Sequence, residues 1–224
     1  MNQASPSSCS PESRAGRPLD ENRRPIRSRD AGWARAAASR LARLGVSPNQ
    51  ISLASVLAAG LATLSLSLFP QPWLALGCVA GVQLRLLCNL LDGMVAVEHG
   101  RKTPLGVLYN EFPDRVADSV ILVALGYACE VPWLGWLSAL GAALTAYVRV
   151  FGGALGFAQD FRGPMAKQHR MAVLTVGCVI SILEDLCFRT RYSLVLTCGL
   201  IAAGSLVTCW TRTRTLARKL WRGS

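Results

Sequence analysis

After Gln50 the chain becomes a series of apolar runs, each about as long as a bilayer is thick, separated by short polar connections. The first contains "LASVLAAGLATLSLSLF", with no charged residue and no polar face recurring at the spacing of a soluble amphipathic helix. A helix of ~20 apolar residues crosses the hydrocarbon core of a membrane. The pattern predicts an all-α membrane protein with six transmembrane helices, over 51–69, 73–97, 106–129, 132–157, 171–187 and 192–210.

The formal net charge of +11 is placed, not spread. Nine Lys and Arg precede Asn49 and five follow Thr211. The connection 98–105 holds Arg101 and Lys102, and 158–170 holds Arg162, Lys167 and Arg170. On the other side "PQP" and "EVP" hold none, and the last connection holds Arg189 and Arg191. By the positive-inside rule this predicts a multi-pass protein of the plasma (cytoplasmic) membrane with termini and both basic loops in the cytoplasm. Topology and attraction to anionic membrane lipids account for the basic excess. A basic juxtamembrane arm explains the N-terminal arginines, so no nucleic-acid partner is expected.

Residues 1–30 carry six arginines, four acids and almost no large apolar side chains, and read as a disordered basic arm. No short apolar run follows their positive charges, so no secretory signal is read there. Residues 31–211 read as the membrane domain and 212–224 as a basic C-terminal tail. Within the domain, 31–44 is expected to be an interfacial helix on the membrane surface, with Trp33, Ala37, Leu41 and Leu44 on one face and Arg35 and Arg43 away from it. Gly45 should end it, Ser47 should cap the next helix, and Pro48 should open it. The eight cysteines lack C-x-x-C spacing and read as small buried hydrophobes. Neither His99 nor His169 is expected to be catalytic, and no Walker loop, G-x-S-x-G or H-E-x-x-H is present.

One stretch breaks the apolar pattern. "NLLDGMVAVEHGRKTPLGVLYNEFPDRVAD", Asn89 to Asp118, holds three Asp, two Glu and two Asn. Ionisable groups at membrane depth are costly, so each is a functional candidate. Arg85, Asn89, Asp92 and Ala96 step by 4, 3 and 4 along the second span, and Asn110, Asp114 and Asp118 step by 4 and 4 along the third. Each set lies on one helical face. Joined by a short loop, the two spans are expected to be antiparallel neighbours whose polar faces meet. An oxygen-only cluster of this kind suits a hard cation, Mg²⁺ or Mn²⁺. Gly93 and Gly106 let a ligand or a neighbouring backbone come close; plain helix packing explains the glycines equally well, but not the carboxylates.

The stretch resembles the signature of the CDP-alcohol phosphatidyltransferases, D-x-x-D-G-x-x-A-R-x8-G-x-x-x-D-x-x-x-D. Asp92, Gly93, Ala96, Gly106 and Asp114 match it with every spacing kept, and Asn89, Val97 and Asn110 stand in place of Asp, Arg and Asp. "LGVSPNQIS" is similar to the family's usual entry into its first span, and the resemblance covers about residues 33 to 210. It implies six transmembrane helices behind an amphipathic one, often in a homodimer. It also implies an enzyme of phospholipid synthesis that displaces CMP from CDP-diacylglycerol or another CDP-alcohol, with an alcohol acceptor that does or does not carry a phosphate. By position, the resemblance makes Asn89, Asp92, Asn110 and Asp114 the metal ligands, Asp114 the general base, and Gly93, Ala96, Thr103 and Gly106 the nucleotide contacts. Arg149, Lys167 and Arg170 become the acceptor-binding cations.

The departures leave alternatives. Two Asn for Asp remove two negative charges, and Asn ligates a hard cation only through a neutral carbonyl oxygen. Glu98, Glu111 or Asp118 could restore the charge, and Arg101 or Lys102 the cation lost at Val97. A lapsed relative serving as a nucleotide- or lipid-binding scaffold is the main rival. A small transporter fits less well, because no internal repeat is visible.

Overall fold

The computed structural model describes residues 31–68, 73–98 and 106–223, all of them helix, turn or short connection. Helix α1 spans Gly32–Arg43, α2 Pro48–Ser67, α3 Leu74–Glu98, α4 Gly106–Ala128, α5 Pro132–Ala154, α6 Lys167–Phe188 and α7 Tyr192–Gly223. The arm 1–30 and the connections 69–72 and 99–105, including Arg101, Lys102 and Thr103, lie outside the described residues.

Local chemistry sets the α1–α2 junction as expected. Gly45, at φ +80°, follows α1; its N–H bonds Ala42 O and that of Val46 bonds Leu41 O. That conformation favours glycine, and the pair of bonds satisfies carbonyls the helix end leaves open. Ser47 then caps α2 in a capping box: Gln50 N–H donates to Ser47 Oγ at 3.3 Å, and Ser47 N–H donates to Gln50 Oε1 at 2.8 Å. Pro48 is the first helical residue.

Side-chain size is sorted in the way lipid demands. On α2 the buried face is Ser52, Ser55, Ala58, Ala59, Ala62 and Ser65 with Ile51 and Leu66, while Leu53, Leu57, Leu61 and Leu64 are exposed. On α5 Gly135, Ser138, Ala139, Gly141, Ala142 and Thr145 are buried, and Trp133, Trp136, Leu140 and Tyr147 are exposed. Small residues let helix backbones approach; the large apolar ones face a solvent as apolar as themselves. At the α4–α5 crossing a Cβ on Gly126 would lie 2.6 Å from Gly135 Cα, so this approach requires glycine.

Among the described residues α2, α3, α5, α6 and α7 are long and apolar enough to cross a membrane. The sixth expected span, α4, has the length but carries Glu111, Asp114, Arg115 and Asp118. It nevertheless completes the bundle: in packing order α2, α3, α6, α7, α5 and α4 form a closed ring, with α1 laid against α3. The chain is thus an all-α membrane protein. The apolar core of the ring comes from Leu66, Val82, Ile121, Leu125, Leu174, Leu194 and their neighbours.

Three details of the packing come from the tertiary structure. The second and third spans, α3 and α4, are not broad neighbours, because α2 packs against both; their polar faces still meet, through Arg85 and Asn89 on α3 and Asp114 and Asp118 on α4. The face by which α1 docks is Ala34, Ala38 and Ala42, against Leu90, Leu91, Met94 and Val95, while Trp33 and Leu44 are exposed. Finally, α7 does not stop near 210: its 32 residues continue to Gly223 through the basic stretch. That is roughly 48 Å at 1.5 Å per residue, longer than a bilayer core.

Candidate active site

The polar faces predicted on α3 and α4 converge inside the ring, at the half built by the end of α3, the start of α4, the end of α5 and the start of α6. Arg85 reaches from mid-α3 and is fully buried. Its Nη1 donates to Asp118 Oδ1 at 2.6 Å, and its Nη2 donates to Asp114 Oδ1 at 3.0 Å and to Asp114 O at 3.1 Å. From α6, Arg170 Nη2 donates to Asp118 Oδ2 at 3.1 Å, and its Nη1 to Met165 O at 2.9 Å and Thr145 Oγ1 at 3.3 Å. Asp118 is therefore shared by two buried guanidinium groups, one on each oxygen. A buried charge persists only when paired and hydrogen-bonded in this way.

Asp114 sits one turn nearer the start of α4. Its Oδ1 accepts from Arg85 and, at 3.1 Å, from Asn89 Nδ2; its Oδ2 accepts from Lys167 Nζ. Asn89 thus contributes a donor, which an aspartate there could not.

Asp92 faces a different setting. Its Oδ2 accepts from Ser52 Oγ on α2 at 2.7 Å, while its Oδ1 is buried and meets no hydrogen-bond partner among the described residues. A buried carboxylate oxygen without a donor is expensive unless a cation comes to it. No three His, Cys, Asp or Glu side chains converge in metal-binding fashion among the described residues. Asp92 Oδ1 and the Asn89 carbonyl are oxygen donors of the kind a hard cation takes, whereas both Asp114 oxygens already accept from Arg85, Asn89 and Lys167.

The other predicted residues divide as follows. Gly93 and Ala96 are half-buried on α3 beside Asp92, and Gly106 is half-buried at the start of α4. Asn110 lies on α4, but its side chain and that of Glu98 are outside the described residues, as is Thr103. Arg149 is brought to the site: its Nη2 donates to both oxygens of Glu111, at 2.8 and 2.6 Å, its Nη1 to Gln159 Oε1, and its guanidinium lies 5.3 Å from the Phe161 ring centre. Lys167 is on Asp114, and Arg170 is directed at protein groups. Glu111 and Asp118, the candidate replacements for the lost charge, are both occupied by arginines. His169 contacts Pro164 O at 3.0 Å and is exposed, away from these groups.

Two contacts escaped the sequence reading. Ser52 was hidden in an apolar run; its signal was the small-residue stripe Ser52, Ser55, Ala59 and Ala62, which marks the face of α2 that meets protein. The pairing of Glu111 with Arg149, 38 positions apart, has no signal in a single sequence.

An apolar helical ring thus encloses carboxylates, amides and basic groups and carries the spaced Asp92–Gly93–Ala96–Gly106–Asp114 set. The chain is 33% identical over 156 residues to archaetidylinositol phosphate synthase from Aeropyrum pernix, covering 68% of this chain and 77% of that one. It is 26% identical over 185 residues to phosphatidylinositol phosphate synthase from Mycolicibacterium smegmatis, covering 80% and 81%. Inner membrane protein YnbA of Escherichia coli is 29% identical over 139 residues, covering 61% and 69%. No family model matches the chain. The fold is that of Mycobacterium tuberculosis phosphatidylinositol phosphate synthase, solved with manganese and citrate: TM-score 0.67, 21% identity, 82% of this chain and 88% of that one. The same enzyme with CDP-DAG bound gives a TM-score of 0.64 at 20% identity, over 83% and 94%. The protein belongs to the CDP-alcohol phosphatidyltransferase family.

Proposed function

We propose that the protein transfers the lipid-bearing phosphate of CDP-diacylglycerol, or another CDP-alcohol, to the hydroxyl of an alcohol acceptor. The acceptor oxygen bonds to that phosphorus, the bond to the CMP oxygen breaks, and CMP leaves. The observation that carries this reading is Asp92: a buried carboxylate, inside the motif, with one oxygen left without a donor. The names of the relatives and the CDP-DAG and manganese bound to the M. tuberculosis enzyme support it.

On this reading Asn89, Asp92, Asn110 and Asp114 would hold Mg²⁺ or Mn²⁺, which when bound neutralises the diphosphate and the departing CMP. Gly93, Ala96, Gly106 and Thr103 make room for the cytidine nucleotide. Asp114 is the general base, and its two oxygens divide the work. Oδ1 is tied to Arg85 and Asn89, so Oδ2 takes the acceptor proton once Lys167 has moved from it onto an anionic substrate group. Arg149 and Lys167 face the acceptor. Arg170 was assigned with them from the sequence; its bonds to Asp118, Met165 O and Thr145 support a positioning role instead.

The membrane placement completes the proposal. We read α4 as the sixth span, because its charges are turned onto interior partners. Exposed Trp73, Tyr127, Trp133, Trp136 and Tyr192 cluster at the end of the ring opposite the site, where an aromatic belt would lie. The site and both termini are then cytoplasmic, α1 is interfacial, and a homodimer is the expected assembly. The test is CMP release by the purified protein from CDP-diacylglycerol with Mg²⁺ or Mn²⁺ across a panel of alcohols. Release matched by a new phospholipid is expected. Nucleotide binding with no CMP release would select the scaffold reading.

A further inference from the structure

Five cations reach the polar centre, and each already meets a carboxylate: Arg85 with Asp114 and Asp118, Lys167 with Asp114, Arg170 with Asp118, Arg149 with Glu111, and Arg115 with Glu111 and Asp114. The Arg149–Glu111 pair is built differently. The Arg149 side chain is 9% exposed and that of Glu111 40%, so the cation is inside and its anion lies nearer the surface. Arg149 is held on three sides by Glu111, Gln159 and the Phe161 ring. Both Glu111 oxygens accept from one Arg149 nitrogen, and Oε2 also lies 3.5 Å from Arg115 Nη2, so Glu111 neutralises two cations. Glu111 is also one residue past Asn110 and one turn before Asp114, on the helix that carries the proposed base.

An acceptor bearing a phosphate would need a cation here and would find Arg149 and Arg115 both paired with Glu111. It would also bring its negative charge against the Glu111 carboxylate. An uncharged polyol avoids both penalties, because its hydroxyls can donate to Glu111 without displacing it from Arg149. We infer that Glu111 makes this site select an acceptor alcohol that carries no phosphate. The inference rests on the transferase reading above and names its acceptor class.

The experiment uses the purified full-length protein and matched acceptor pairs, glycerol against glycerol 3-phosphate and inositol against inositol phosphate, with CDP-diacylglycerol as donor. Wild type should release CMP faster with the unphosphorylated member of a pair. Glu111→Gln should move that ratio toward the phosphorylated member by about tenfold, the scale of one charged contact. Glu111→Asp, which keeps the charge, should leave the ratio where wild type has it. A second measurement needs no turnover: millimolar inorganic phosphate should raise the thermal midpoint of Glu111→Gln and leave that of wild type unchanged. Faster wild-type reaction with the phosphorylated acceptor would overturn the inference, as would equal stabilisation of both proteins by phosphate. Should Glu111→Gln not fold, the wild-type preference decides alone. If no acceptor yields CMP, the transferase reading fails, and the phosphate shifts still decide what Glu111 does.

Discussion

Asp92 and Asp118 are almost equally buried, at 3% and 2% exposure, and yet their surroundings are opposites. Asp118 has a guanidinium on each oxygen. Asp92 has one serine hydroxyl and an oxygen with no donor among the described residues. The first is a carboxylate whose charge the fold has used up. The second is one whose charge is kept for something else. Asp114 stands between them, tied through Oδ1 to the structural group and through Oδ2 to Lys167, with Arg115 3.7 Å from that oxygen. Burial alone therefore does not tell a functional acid from a structural one; the count of its partners does.

The largest effect should come from the saturated end. Asp118→Ala leaves Arg85 and Arg170 buried without their shared anion, and breaking a buried pair costs about 3–5 kcal/mol. Little or no folded protein should be recovered in detergent, by size-exclusion profile and thermal midpoint. A well-folded Asp118→Ala protein would erase the contrast drawn above.

Next comes Asp114→Asn, which should fold and lose about 10²–10⁴-fold in CMP release, the usual contribution of a general base. Activity above a tenth of wild type would remove Asp114 from that role.

Asp92→Asn sharpens the comparison from the other side. An asparagine can still accept from Ser52, and a poorly paired buried charge is gone, so the thermal midpoint should equal or exceed that of wild type. CMP release should nevertheless fall by about 10²-fold. Loss of stability in parallel with Asp118→Ala would show that the two carboxylates are alike after all.

The smallest effect is expected from restoring charge. The double change Asn89→Asp and Asn110→Asp adds two carboxylates near Asp92 and should tighten Mg²⁺ binding by about tenfold, read by calorimetry. It also removes the Asn89 donor from Asp114, so part of the gain in metal affinity should be offset by a lower midpoint. No gain in affinity would place both asparagines outside the metal site.

What the sequence determined by itself was the class of molecule and the shape of its local joints. Apolar runs of bilayer length leave few options but helices, and Gly45, Ser47 and Pro48 marked the α1–α2 junction because caps depend on neighbours a few residues away. Spacings of three and four on one helix were equally legible, so Asn89 with Asp92, and Asp114 with Asp118, could be placed on shared faces. Which partner each acid takes was decided only by tertiary structure. Arg170 is 52 positions from Asp118, Ser52 is 40 from Asp92, and Arg149 is 38 from Glu111. A single sequence carries the period of a helix but not the rotation of one helix against another. Here α2, packed against both α3 and α4, set that rotation, and with it decided which carboxylates were neutralised by arginine and which was left with an unpaired oxygen.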